Sequence, residues 1–173
     1  MYRISLFFSF LLLISCLEKN PNEGTHAQAV IKDRHVPASN NDIMAVVDTV
    51  YVPIYSDIYS KSKDSRFLLT ATLSIRNTSL VDTIYMNSID YYDTQGDLVR
   101  SYIESTSYLR PMETIDYVIE QDDDTGGSGA NFLIIWSARH KNVKPVFQAI
   151  HISTNGQQGV SFTTEGKSIG MGY

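Results

Sequence analysis

Hydrophobic and polar positions alternate along most of the chain after residue 44, and the alternation has a period of two. Leu69, Ala71, Leu73 and Ile75 fall on one face, with Thr70, Thr72, Ser74 and Arg76 on the other, which predicts a half-buried strand. Ile115, Tyr117 and Ile119 alternate in the same way against Asp116, Val118 and Glu120. The β-branched and aromatic run Val46 to Val52 predicts an edge-type strand, because Pro53 at its end has no N–H to give a ladder. Between Thr83 and Tyr92 the apolar phase moves from Ile84 and Met86 to Ile89 and Tyr91, so a bulge is expected near Asn87 and Ser88. Phe132, Ile134 and Trp136 interleave with Leu133 and Ile135, leaving both faces apolar, as in a strand at the centre of a sheet. Tyr51, Tyr55 and Tyr59 recur every fourth residue, a spacing open to a helical stripe or a cluster of phenols near a site, with packed rings and wet hydroxyls as the preferred reading.

Turn chemistry separates these runs. Lys61 to Ser65, Asn77 to Ser79, Asp93 to Gly96, Lys141 to Lys144 and Asn155-Gly156 are polar or glycine-bearing, and Leu109-Arg110-Pro111 marks a corner. Further short strands are expected over 98–103, 146–152 and 160–164, followed by a glycine-rich tail. No segment after Cys16 holds a helical period. About seven to nine short strands with turn signals between them predict an all-β, antiparallel β-sandwich, immunoglobulin-like only by analogy, since the paired cysteines of antibody domains are missing.

A chain of 173 residues supports one core, and its first part stands apart from it. Arg3 followed by the apolar run Ile4 to Ile14 reads as an export signal, too short for a membrane-spanning helix of ~20 residues. Leu13-Ile14-Ser15-Cys16 resembles the lipobox of bacterial lipoproteins, in which the cysteine is acylated and becomes the first mature residue. Cys16 is the sole cysteine, so no disulfide can form within the chain. The expected organisation is a lipoprotein signal peptide over 1–15, a flexible tether over 16–44 and a β-sandwich over 45–173. Residues 17–41 are rich in Pro, Asn, Gly and Ser, and His26 and His35 within them read as spacer polarity. The expected location is the cell envelope, anchored to a membrane and facing the periplasm or the exterior.

Removing residues 1–15 takes away Arg3 and leaves 13 basic against 19 acidic side chains, counting 14 less one. An acidic protein lacks the basic patch that nucleic acid requires, and the total charge also argues against an electrostatic hold on anionic headgroups. The acids gather between Asp82 and Asp124, and the densest run is Asp122-Asp123-Asp124, leading into Thr125-Gly126-Gly127-Ser128-Gly129. Glycines allow a tight turn with exposed N–H groups, and the acids crowd its mouth. Asp122, Asp124, Gly126, Gly127, Asn131, Arg100 and Tyr55 are the candidate ligand-binding residues, with closure of a β-turn as the alternative use of the glycines. Cys16 is the candidate lipidation site.

Motifs that would name a reaction fall short. Asp124-Thr125-Gly126 has the letters of the aspartic-protease triplet, but no apolar strand precedes it and no second carboxylate is paired with it. Asp122-x-Asp124 opens like a calcium loop, yet its twelfth position is Leu133, so only a weak, irregular calcium site from Asp122, Asp124 and nearby carbonyls survives. Ser161 to Ser168 misses the first glycine of a P-loop and has no helix after it. His140 and His151 have no spaced nucleophile, and metal ligation by the two is a minor reading. No cofactor is expected.

Tyr51-Val52-Pro53-Ile54-Tyr55, Leu73-Ser74-Ile75-Arg76-Asn77-Thr78, Tyr91-Tyr92-Asp93, Leu98-Val99-Arg100 and Gly126-Gly127-Ser128-Gly129-Ala130-Asn131-Phe132 together resemble the bacterial domain of unknown function 3124 family. The resemblance spans residues 50–170 and implies one exported domain with no assigned activity. The expected function is a binding or interaction module at the envelope, held to the membrane by its lipid and meeting an envelope protein partner. The rivals are a hydrolytic or metal-dependent enzyme centred on Asp122, Asp124, Asn131 and Arg100, and an assembly subunit that pairs through an exposed strand edge.

Overall fold

The computed structural model describes residues 44–155 and 158–170; Cys16, the expected signal, nearly all of the expected tether and Gly156 of the expected tight turn lie outside them. The described residues form twelve strands, β1 (Val46–Ile54), β2 (Asp57–Tyr59), β3 (Arg66–Leu68), β4 (Thr70–Arg76), β5 (Ile84–Tyr92), β6 (Leu98–Ser101), β7 (Ser107–Leu109), β8 (Thr114–Ile119), β9 (Ala130–Ala138), β10 (Val146–Asn155), β11 (Gln158–Glu165) and β12 (Lys167–Gly170). One sheet runs β12-β1-β9-β5-β6 with β7 also on β5, a second runs β11-β10-β4-β8, and β2 pairs β3 as a small separate hairpin. Every pairing is antiparallel. Three- and four-residue strands such as β2, β3, β7 and β12 are too short to leave a period in the sequence, which is why the count exceeds the expectation.

The alternating faces meet between the two large sheets. Val50, Val52, Ile89, Phe132 and Ile134 from one pack with Ala71, Leu73, Ile75, Ile115, Tyr117 and Ala149 from the other in a single core. Ring contacts cross the layers: Tyr102 meets Tyr117 at 4.8 Å and Trp136 meets Phe147 at 6.2 Å. Trp136 is 5% exposed, and β9 lies between β1 and β5, as the doubly apolar run from Phe132 predicts. The likeness to immunoglobulin domains is one of layers alone, since the strand order is different.

Three expectations need correction. β1 is not an edge strand, because β12 covers it; the chain predicted as a glycine-rich tail is this strand, paired with Thr49, Val50 and Tyr51. Pro53 is tolerated because β12 stops before reaching it, while its own C=O accepts a hydrogen bond from Thr164 Oγ1 at 2.6 Å. Ser74 is buried rather than solvent-facing, and its Oγ accepts from Arg76 Nε. The bulge occurs where the phase shift places it, between Met86 and Ser88 against β9.

The register gives the sandwich two distinct ends. Arg76 pairs with Val146 and Thr114, and Ala138 pairs with both Val46 and Ile84. One end therefore gathers the turns 77–83, 110–113 and 139–145 with Ala45, the entry of the chain, whose N–H donates to Ala138 O at 2.9 Å. This is the proximal end. The distal end carries the β2–β3 hairpin, the turn 93–97 and the loop 120–129.

Candidate binding site at the distal end

The loop 120–129 is held by groups far away in sequence. Thr94 Oγ1 donates to Gly126 O at 2.9 Å and accepts from Gly129 N–H at 2.9 Å, and Ser56 N–H donates to Gly127 O at 3.0 Å. Ser56 Oγ and the Tyr91 hydroxyl bond at 2.8 Å beneath it. Gly126 has Tyr91 against its Cα, where a side chain would collide, and Gly127 takes φ 71 in the 3-10 turn Gly127–Gly129. The glycines serve close packing, and the N–H groups of Gly127 and Gly129 are consumed by Asp124 O and Thr94 Oγ1. An anion cradle would need those donors free.

Two arginine–tyrosine–aspartate clusters flank the loop. On one side Arg100 Nη2 donates to Asp123 Oδ2 at 2.9 Å and Nη1 to the Tyr102 hydroxyl at 3.1 Å. Partial burial pushes the Asp123 carboxyl up, but hydrogen bonds from Thr125 and Arg100 outweigh it and hold it below the usual range. On the other side Arg66 Nη1 donates to Asp57 Oδ2 at 3.0 Å, Nη2 donates to the Tyr59 hydroxyl at 3.2 Å, and the guanidinium lies 5.0 Å from the ring. Hydrogen bonds with Arg66 and then Ser128 keep the Tyr59 hydroxyl below its ordinary pKa, which ties this hairpin to the loop. Asp57 is 1% exposed, and the Arg66 guanidinium is the partner of its Oδ2.

The predicted residues are only partly brought together. Asp122 and Asp124 face solvent on either side of Asp123, and Arg100 is beside them but engaged by Asp123. Among the described residues no group of three or more His, Cys, Asp or Glu side chains converges as a metal site, so a calcium ion would have two exposed carboxylates and carbonyls. Asn131 lies in the ladder between Pro53 and Tyr92. Tyr55 turns away from the loop, its ring 5.7 Å from both His151 and Phe162. His140 and His151 do not converge: His140 bonds Asp82 at the proximal end, and His151 is fully buried beside Ala71. The His151 Nε2 accepts from Tyr55 N–H at 3.1 Å, and burial lowers its pKa to about 4.

Sequence reasoning missed Asp57, Arg66 and Tyr102, and the reading of Tyr59 as a packed ring is corrected: it is 56% exposed and lies against the Arg66 guanidinium. Asp123 had a local signal as the middle acid of the run, but nothing in the letters says which of the three turns inward. A groove of about 580 Å3 was also not foreseen; it opens beside β1 and β12 over Trp136, Val143 and Phe147, with Lys141 and Lys144 on its rim.

An antiparallel sandwich with clustered end loops defines the class of protein. The chain matches the family described as "Protein of unknown function (DUF3124)" over residues 47–169, and it belongs to that family. No curated protein matches it significantly. It is similar to one solved structure titled "Crystal Structure of Thermotoga maritima 1070", at 16% identity and a TM-score of 0.40, over 72% of this chain and 96% of that one.

Proposed function

We propose that the protein is a binding module of the cell envelope, tied to a membrane by acylation of Cys16 and engaging a protein partner through its distal end. The observation that carries the reading is the pair of arginine–tyrosine–aspartate clusters on either side of the loop 120–129. Each sets a phenol beside a guanidinium that bonds its hydroxyl and is itself held by a carboxylate, so little side-chain freedom is lost on contact. Tyrosine and arginine are the residues that dominate interface energies. Asp122 and Asp124 between them add negative charge that selects a cationic surface. A hydrolytic role for Asp122, Asp124, Asn131 and Arg100 gains no support from the geometry, because Arg100 is engaged by Asp123 and Asn131 sits in the ladder.

The test is a pull-down of the full-length protein from envelope extracts, alongside an Asp122→Ala/Asp124→Ala variant and a Tyr59→Ala variant. The reading expects a partner that both variants lose. The same partners in all three would reject the distal loop as the contact.

A further inference from the structure

We propose that the proximal end is a membrane-contact surface that seats its apolar tip in a bilayer with anionic headgroups. Leu80, Val81 and Met112 are 78%, 82% and 62% exposed. They stand together, since Met112 N–H donates to Ser79 O at 3.1 Å. This tip is fixed rather than loose. Asn77 Nδ2 donates to Asp82 O at 2.7 Å and Arg110 O at 2.9 Å, Asn77 Oδ1 accepts from Ser79 N–H, and Ser79 Oγ accepts from the N–H groups of Val81 and Asp82. Met112 holds φ 62, a left-handed conformation rare for a side-chain-bearing residue. The bonds thus lock three large apolar side chains into water, where they stabilise nothing in the fold.

The charge around the tip is opposite to that of the whole chain. Arg76 and the turns 77–83, 110–113 and 139–145 contain Arg76, Arg110, Arg139, Lys141 and Lys144 against Asp82 and Glu113; Asp48 and Glu165 line the same groove as the two lysines, and with them the cations still exceed the acids, five to four. Asp82 is bonded by His140 Nδ1 at 2.6 Å and Glu113 by Arg110 N–H at 2.8 Å, whereas Lys141 and Lys144 have no ion pair among the described residues. Lys144 is adjacent to the tip, its C=O accepting from Thr78 Oγ1 at 2.7 Å. The acids of the distal loop lie a strand length away. β5 has 9 residues, which at ~3.3 Å per residue gives roughly 30 Å. That exceeds the Debye length of ~8 Å at physiological salt, so a bilayer at the proximal end meets the local cations rather than the net charge. The total charge of the sequence conceals this segregation.

The chain also enters here. Ala45 joins β1 at this end, so residues 1–43, which carry the expected acylation site, lead off from the face that bears the apolar tip. A tether leaving that face leaves the distal loop turned away from the bilayer. The surface does not need the acyl group, and its failure is separable from that of the distal contact because the two occupy opposite ends.

The experiment uses the full-length chain with Cys16→Ser and one new cysteine bearing a nitrobenzoxadiazole label, either Val81→Cys at the tip or Gln95→Cys at the distal turn. Each is mixed with phosphatidylcholine vesicles, or with vesicles also containing phosphatidylglycerol, with and without nitroxide-labelled acyl chains. The label at position 81 should shift to the blue and be quenched with the anionic vesicles, while that at 95 keeps its aqueous emission. Lys141→Gln and Lys144→Gln should each weaken the effect about fivefold. Aqueous emission at 81, equal responses at both positions, or equal response to neutral and anionic vesicles would overturn the proposal.

Discussion

The Tyr91 hydroxyl sits where a Cβ on Gly126 would have to go. That contact closes the distal loop onto β5, and the same hydroxyl bonds Ser56 Oγ at 2.8 Å, so one phenol ties together three segments distant in sequence.

Gly126→Ala should therefore overpack the joint and lower stability by about 2 kcal/mol, read as a reduced urea midpoint at unchanged slope. Tyr91→Phe alone should cost about 1 kcal/mol for the lost hydrogen bond. Combined with Gly126→Ala it should recover part of the loss, because the colliding oxygen is gone. Additive losses in the double variant would show that the hydroxyl is not the obstruction.

His151 gives stability a dependence on pH. Its folded pKa, lowered by burial to about 4, lies below its unbound value of 6.5. The unfolded chain therefore takes up a proton that the folded one refuses, and stability falls as pH drops from 6.5 toward 4. The full window is worth about 3 kcal/mol. Asp123 acts in a lower range: its depressed pKa adds stability that is present above 3.8 and lost as pH falls further. Chemical denaturation at pH 7 and pH 4.5 should show the histidine-linked loss, and His151→Leu should flatten it while lowering stability at neutral pH, since Tyr55 N–H loses its acceptor.

The Arg100–Asp123 pair holds geometry more than stability. The Arg100 side chain is 43% exposed, so a double-mutant cycle with Arg100→Ala and Asp123→Ala should give a coupling of about 0.5 kcal/mol that shrinks in high salt. Loss of the distal contact is expected to be larger, because Tyr102 and the loop lose their common anchor. A coupling of several kcal/mol would mean that the pair is a structural element first.

Most of the layer structure was legible because it depends on a period of two, which Leu69 to Ile75 and Ile115 to Ile119 keep cleanly. Even the bulge at Asn87 was visible as a change of phase. What could not be read is which strand lies beside which. Nothing local says that Lys167 to Gly170 returns to cover β1, that Thr94 reaches Gly126, or that Arg66 stands next to the loop. The candidate site suffered for the same reason: the acidic run and its glycines pointed to the right loop, but the side chains that shape it come from positions 56–66, 91–94 and 100–102.

Removing residues 166–173 tests the corrected place of the C-terminal strand. The edge of β1 at Thr49 to Tyr51 would lose its partner and present unpaired N–H and C=O groups. The shortened protein should self-associate, seen as a concentration-dependent sedimentation coefficient, with an approximately unchanged circular dichroism spectrum. A monomer at all concentrations would show that β12 is dispensable as an edge cover.

The distal contact is tested most directly by site-specific photo-cross-linking in intact cells. A benzophenone side chain replaces exposed Gln95 in the distal turn or Thr72 on the outer face of β4, in the full-length protein. The account predicts one discrete protein adduct from position 95, absent from position 72 and lost when Asp122→Ala and Asp124→Ala are added. No adduct at position 95, or the same adduct from both positions, would contradict it.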